Sequence, residues 1–432
     1  MGTPAPSTGP RLDRLQADLD RIAEFRDPEA PGWTRRVFTP FDQQCREWVA
    51  QQMAAAGLEV RKDAAGNVIG TRKGRAQARA VVSGSHTDTV QGGGRFDGII
   101  GVLGAIEVAR CLEDSRAELP RDFVVVDFLG EEPNDFGLSC VGSRAIAGSL
   151  DAGHLELKNA SGATLADALA TAGGDPGHIE SARWGRESVH SFVELHIEQG
   201  PVLEQSGVPI GVVSGIVGIR RLLATFEGRP DHAGTTPMRL RHDALCGASE
   251  AILAIERLAG GTGVAEGQPS DSGGVATTGR IEVQPGALNV VPSESQLWAE
   301  VRSQDEAWLD DFADKLDATV AGTARRRGLE MALRWLSRER PVLTSQSVSD
   351  LIKDAAKSLG FEPMRISSGA GHDAAQMARL SPVGMIFVPS RDGRSHCPEE
   401  WTDIEQIGKG VAVLAETIVR LCAQPDLSGS TL

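Results

Sequence analysis

Val81-Val-Ser-Gly-Ser-His-Thr-Asp-Thr-Val-Gln-Gly-Gly-Gly-Arg-Phe-Asp-Gly98 is the stretch that decides how this chain folds. It opens within the apolar run Ala80 to Val82, which reads as a buried strand. The strand gives way to a loop carrying His86, Asp88 and Asp97, and Gly98 to Cys111 then reads as a helix. Imidazole and carboxylate groups held on rigid elements are what borderline divalent metals require.

Outward from this stretch the pattern recurs. The apolar strand Phe123 to Phe128 is followed by Glu131 and Glu132. Ser191 to Glu198 alternates: Phe192, Glu194, His196 and Glu198 share one face, and Val193, Leu195 and Ile197 the other. His396 lies in a loop after the strand Pro382 to Val388, ahead of a helix from about Asp403 to Cys422. Strands that deliver such groups at their ends, alternating with helices, predict a doubly wound sheet. Nearer the start, Leu12, Leu15, Leu19 and Ile22 form a helical stripe. A second helix is expected from about Phe41 to Ala56, after Thr39-Pro40 and before Gly57, then a hairpin of Leu58–Arg61 with Asn67–Arg72.

Around residues 215–332 the pattern changes. Arg221–Glu227, Val275–Val283 and Gln296–Arg302 read as half-buried strands. Asp243–Leu258 reads as an amphipathic helix with Leu245, Ala248, Ile252, Ile255 and Leu258 on one side, and Asp305 to about Arg326 as another. The expected fold class is α/β. A doubly wound mixed-sheet domain takes residues 1–214 and 333–432, and 215–332 form an inserted two-layer α/β domain. Residues 1–10 and 424–432 read as loose tails and Gly260–Gly274 as a surface loop.

A net charge of −15 argues against a nucleic-acid or acidic-membrane partner, although a cation in a cleft can still draw an anionic substrate. No apolar run reaches membrane-spanning length, and the polar start Met1-Gly-Thr-Pro-Ala-Pro-Ser shows no signal peptide. Cys45, Cys111, Cys140, Cys246, Cys397 and Cys422 have no paired spacing, so reduced thiols and a cytoplasmic location are expected. Gly92-Gly-Gly94 lacks the following Lys of a phosphate loop, which removes nucleotide binding of that kind.

In His86-Thr-Asp88, one side chain can bind a metal while the other orients it. The two oxygens of Asp97 suit a bridging position. Of Glu131 and Glu132, one can ligate while the other takes a proton from water. His86, Asp97, Glu132, His196 and His396 together make a ligand set with Asp97 shared. Cys397, beside His396, has no paired base and is neither ligand nor nucleophile in this reading.

The combination resembles the M20-type metallohydrolases, specifically the hydantoinase/carbamoylase amidases, from about Phe38 to Thr402. The likeness rests on Gly84-Ser-His-Thr-Asp-Thr-Val90, Phe96-Asp-Gly98, Gly130-Glu-Glu132, Leu195-His-Ile-Glu-Gln-Gly-Pro201, His232-Ala-Gly-Thr-Thr-Pro-Met238 and Ser395-His396 with Pro398-Glu-Glu400. It implies two divalent metal ions, Zn by default with Mn, Co or Ni as alternatives. His86 and His196 would hold one and Glu132 and His396 the other, with Asp97 between them. Glu131 would be the general base and Asp88 the partner of His86. Gln199 would contact the amide or ureido group, and His232, reaching across a homodimer, would stabilise the oxyanion. Asn289 and Arg302 would bind the substrate carboxylate, beside the Gly369-Ala-Gly-His-Asp373 loop. The inserted domain would be a lid and dimerisation domain.

The implied activity is hydrolysis of the carbamoyl C–N bond of an N-carbamoyl-L-amino acid. Allantoate amidohydrolase and β-ureidopropionase are the nearest alternatives, an N-acyl amino acid hydrolase or dipeptidase is further away, and a non-catalytic metal-binding scaffold belongs to another class. The presence of Glu131, which mere metal binding does not need, speaks against the scaffold. His372 and Asp373 are expected to be structural, and His154, His178, His190 and His242 to have no role at the site.

Overall fold

Val81 to His86 are all buried, and their strand, Ala80–His86, lies in the middle of a mixed sheet. The computed structural model describes residues 9–260 and 273–425; most of both expected tails and of the expected Gly260–Gly274 loop lies outside them. Across this sheet the strands run Glu59–Lys62, Val68–Arg72, Phe123–Phe128, Ala80–His86, Val189–Ile197, Val383–Val388 and Gly211–Ile216, with Met364–Ser368 beside the last. The four central strands are parallel, with His86 opposite Phe128 and His196 opposite Phe387. The hairpin at one side and Gly211–Ile216 at the other are antiparallel.

Parallel strands are covered on both faces, which explains their continuous apolar runs. Val81, Val193, Leu195, Ile197 and Ile386 pack in one cluster with the helices Ile99–Asp114 and Ile404–Ala423. All nine residues of Val189–Ile197 are buried, so the alternation read from its sequence separates two covered faces. His196 and Glu194 occupy the face away from that cluster. The helix Pro40–Ala55 starts where expected, with the Thr39 side chain accepting from the Asp42 N–H. The helices Val141–Ile146, Ala152–Leu155 and Leu165–Thr171 were not legible, because each is too short to show a period.

The chain divides into two units. One takes the residues up to Ser214, Thr344–Ser368 and those from His372 onward; the other takes Gly215–Leu343 and Gly369–Gly371. The second unit therefore runs past the expected end at 332. The strand Glu330–Arg338, not read from the sequence, pairs with Gly218–Glu227 and belongs to its four-stranded antiparallel sheet. Its helix Ala244–Leu258 buries Ala244, Gly247, Ala248, Ala251, Ala254 and Ile255, a stripe richer in small residues than expected, with Ile252 and Leu258 partly buried against the same core. Close packing against Phe226 selects these: a Cβ on Gly247 would lie 3.1 Å from that ring.

Within the first unit a buried ion pair fixes the strand ends. The Arg46 guanidinium lies 3.0 Å from the Asp127 carboxylate, with side chains 4% and 0% exposed. It also donates to the carbonyls of Phe128, Gly66 and Asp127, while Asp127 accepts from the Thr87 hydroxyl at 3.1 Å. Removing one partner leaves a buried charge alone. Arg46→Met is expected to lower the unfolding free energy by roughly 3–5 kcal/mol in a urea titration, and Arg46→Met with Asp127→Leu to recover part of that. A loss below about 1 kcal/mol would contradict the account.

Candidate metal centre

Three strand ends and one loop of the first unit converge on Asp97. His196 Nε2 lies 3.0 Å from Asp97 Oδ1, His86 Nε2 3.9 Å from the same oxygen, and His396 Nε2 3.0 Å from Oδ2. Glu132 Oε1 lies 3.3 Å from His396 Nε2. Two groups able to hold a metal ion follow, His86/Asp97/His196 and Asp97/Glu132/His396, each with its ligand atoms within 4.8 Å of one another. Glu194, His196 and His372 also gather, but Glu194 already accepts from Ser85 Oγ at 2.6 Å and the Ala374 N–H at 3.0 Å.

The hydrogen bonds orient the imidazoles for a cation. His196 Nδ1 faces the Ile197 carbonyl at 2.9 Å and His86 Nδ1 faces the Asp88 carbonyl at 3.1 Å. A carbonyl only accepts, so each Nδ1 carries the proton and each Nε2 can turn its lone pair toward Asp97. Lone pairs facing carboxylate oxygens need a positive charge between them, and this donor set suits a borderline divalent metal.

Without a metal, protons supply that charge. His396 is pushed up to about 11 by its hydrogen bonds to Asp97 and Glu132. Burial opposes protonation of His86, but Asp88, Glu131 and Asp97 outweigh it and hold the group well above its ordinary value. Burial raises Asp97, yet its bonds to His196 and His396 carry it well below the usual carboxylate range.

Backbone sterics help to shape the cluster. Gly98 has φ 69°, and a Cβ there would lie 2.3 Å from His86 Nε2, so a side chain would displace the imidazole. Asp88 does more than face His86: its carboxylate oxygens accept from the backbone N–H groups of Glu131 and Glu132 at 3.2 and 3.3 Å. It lies 3.5 Å from His86 Nδ1, further than its own carbonyl does. Glu131 Oε2 reaches within 3.7 Å of His86 Nε2, and burial raises the Glu131 carboxyl well above its ordinary value. Gln199 donates to Asp97 Oδ2 at 2.8 Å, and its buried Oε1 has no partner among the described residues.

Several supporting residues had no assigned role in the sequence reading. Glu400 is 1% exposed and accepts from the Phe96 and Asp97 N–H groups at 2.8 and 3.1 Å and from Ser395 Oγ at 2.8 Å. Ser395 Oγ also lies 3.3 Å from Asp97 Oδ2, placing the His396 loop beside the shared carboxylate. Buried Arg35 donates to the Thr87 carbonyl at 2.7 Å and holds the His86 loop. Glu400 lies in a stretch singled out for its neighbour His396; Arg35 carried no signal. His372 pairs with Ser368 Oγ at 2.7 Å and sets its ring edge-on to His196, 4.5 Å between centroids. His190 is buried, facing the Pro425 carbonyl, and His242 faces that of Gly328.

In the second unit, His232 and Val290 form an isolated bridge, and the Ala233 N–H donates to the Asn289 carbonyl at 2.9 Å. His232 Nδ1 accepts from the N–H groups of Gly234 and Thr235 at 3.0 and 3.2 Å, which puts the proton on Nε2. Asn289 is exposed. Arg302 pairs with Glu300 at 2.6 Å and donates to the Gly369 carbonyl at 2.9 Å.

The family described as peptidase family M20/M25/M40 matches residues 82–420. The chain is 38% identical over 413 residues to an N-carbamoyl-L-amino-acid amidohydrolase of Paenarthrobacter aurescens, covering 95% of this chain and 98% of that one. It is 37% identical to a ureidoglycolate hydrolase of Oryza sativa subsp. japonica, covering 95% and 85%. The crystal structure of an amidase of the hydantoinase/carbamoylase family from Burkholderia vietnamiensis superposes with a TM-score of 0.86 at 35% identity, over 98% of this chain and 100% of that one.

Proposed function

Because the chain belongs to peptidase family M20/M25/M40 and, within it, to the hydantoinase/carbamoylase amidases, we propose that it hydrolyses the carbamoyl C–N bond of an N-carbamoyl-L-amino acid, giving the amino acid, ammonia and carbon dioxide. The observation that carries this reading is the gathering of His86, Glu132, His196 and His396 around a shared Asp97, with the Glu131 carboxylate alongside. Two divalent metal ions, Zn or else Mn, Co or Ni, would be held by these five residues and would supply Lewis acidity and a lowered water pKa.

The chain's own groups account for the remaining steps. Glu131 takes a proton from the attacking water and returns it to the leaving nitrogen. His232, with its proton on Nε2, donates to the oxyanion that develops on the carbamoyl oxygen. Gln199 orients the ureido group, and Asp88 steadies the Glu131–Glu132 backbone. Asn289 and Arg302, beside Gly369, take the substrate carboxylate. In this reading Arg302 exchanges the Gly369 carbonyl for substrate, and the second unit acts as lid and dimerisation domain. The edge strand Gly274–Gln284 exposes Val275 (63%) and Ile281 (41%), which supports pairing with a second copy, with His232 acting across the homodimer. Six free thiols support a cytoplasmic location. No helix among the described residues is long and apolar enough to cross a membrane.

The test is ammonia release from N-carbamoyl-L-amino acids, N-carbamoyl-β-alanine, allantoate and ureidoglycolate, with metal-replete and chelated protein. Chelator-sensitive release from an N-carbamoyl-L-amino acid is expected to be fastest. Preference for allantoate, ureidoglycolate or the β-amino substrate keeps the mechanism and changes the substrate; the relative from rice is named for ureidoglycolate. No release from any of them overturns the proposal. Arg302→Met is expected to raise KM roughly 10- to 100-fold while changing kcat less, because one charge-assisted pair is lost from substrate binding. An unchanged KM would remove Arg302 from carboxylate recognition.

A further inference from the structure

Six non-glycine residues among those described have backbone in the left-handed region: Phe38, Arg116, Cys140, Gln199, Asp392 and His396. Such conformations are strained and persist where surrounding structure enforces them, often at functional sites. Gln199 and His396 both touch Asp97. Cys140, at φ 58°, is buried, and its Sγ lies 3.4 Å from Glu131 Oε1.

Three consecutive backbone hydrogen bonds hold Cys140 opposite Glu131. The N–H groups of Cys140, Val141 and Gly142 donate to the carbonyls of Glu131, Gly130 and Leu129 at 2.8, 2.9 and 2.7 Å. Glycine or asparagine would suit the left-handed conformation better, so packing economy alone does not explain a thiol here. Its S–H is a donor, and Glu131 Oε1 is an acceptor within its reach. The other oxygen, Oε2, is the one turned toward His86.

We propose that Cys140 is a positioning residue for the Glu131 carboxylate: its S–H engages Oε1, so that Oε2 alone is presented to the reacting water. The proposal rests on the reading of Glu131 as general base. It assigns no covalent or redox step to the thiol.

The experiment is steady-state kinetics of Cys140→Ala, Cys140→Gly and Cys140→Ser on the best ureido substrate, with metal content and thermal midpoint measured for each. Cys140→Ala and Cys140→Gly are expected to lower kcat up to about tenfold, the scale of one neutral hydrogen bond, with KM and metal content little changed. Cys140→Gly relieves the backbone strain, so a lower kcat in a stable protein separates loss of the donor from misfolding. Cys140→Ser restores a donor and should recover most of kcat relative to Cys140→Ala. An unchanged kcat in Cys140→Ala, a loss that follows metal content, or a serine variant no better than alanine overturns the proposal. A Glu131→Gln control separates the two readings. If it stays active, the base assignment fails and this inference with it; if it is inactive while Cys140→Ala runs at full rate, only the role of Cys140 falls.

Discussion

Glu131→Gln is expected to leave the protein folded and metal-loaded while lowering kcat roughly 10²–10⁴-fold. The substitution keeps the shape of the side chain but removes its charge and its ability to take a proton. Glu131 is 7% exposed, next to a ligand candidate but outside both groups that could hold a metal. Metal content should therefore stay at the wild-type level, and substrate binding by the inactive variant should remain measurable by calorimetry. Loss of metal together with activity would make Glu131 a ligand. Retained turnover would require another base.

Asp97→Asn is expected to lower metal content from about two equivalents per chain to one or fewer, and activity by roughly a thousandfold or more. Both candidate groups share this carboxylate, and an amide has only one oxygen with which to ligate. His396→Ala should instead spare the His86/Asp97/His196 group and lose a single equivalent. Elemental analysis of gel-filtered protein decides between these outcomes. Equal stoichiometry in Asp97→Asn and wild type would end the bridging assignment.

The five candidate ligands and Glu131 are legible from local pattern. His86 and Glu131-Glu132 stand where buried apolar strands end, and such runs are legible because parallel strands are covered on both faces. His196 was read from alternation, although both faces of its strand proved to be buried. The strand Glu330–Arg338 is not legible in the sequence because its alternation mixes Arg, Ser and Glu with Met, Leu and Trp, a half-exposed pattern with little apolar contrast. The boundary expected at 332 was consequently too early.

The sequence by itself determined the α/β class, the order of the central strands along the chain and the residue types offered as ligands. Each of these follows from periods of two or 3.6 residues and from side chains at strand ends. Only the tertiary structure decided which groups support them. Glu400 reaches the Phe96 N–H across a separation of 304 residues, Arg46 the Phe128 carbonyl across 82, and Cys140 meets Glu131 through a left-handed turn. No local period encodes such pairs. They arise because a buried carboxylate, guanidinium or backbone N–H must find a partner wherever the packed chain provides one.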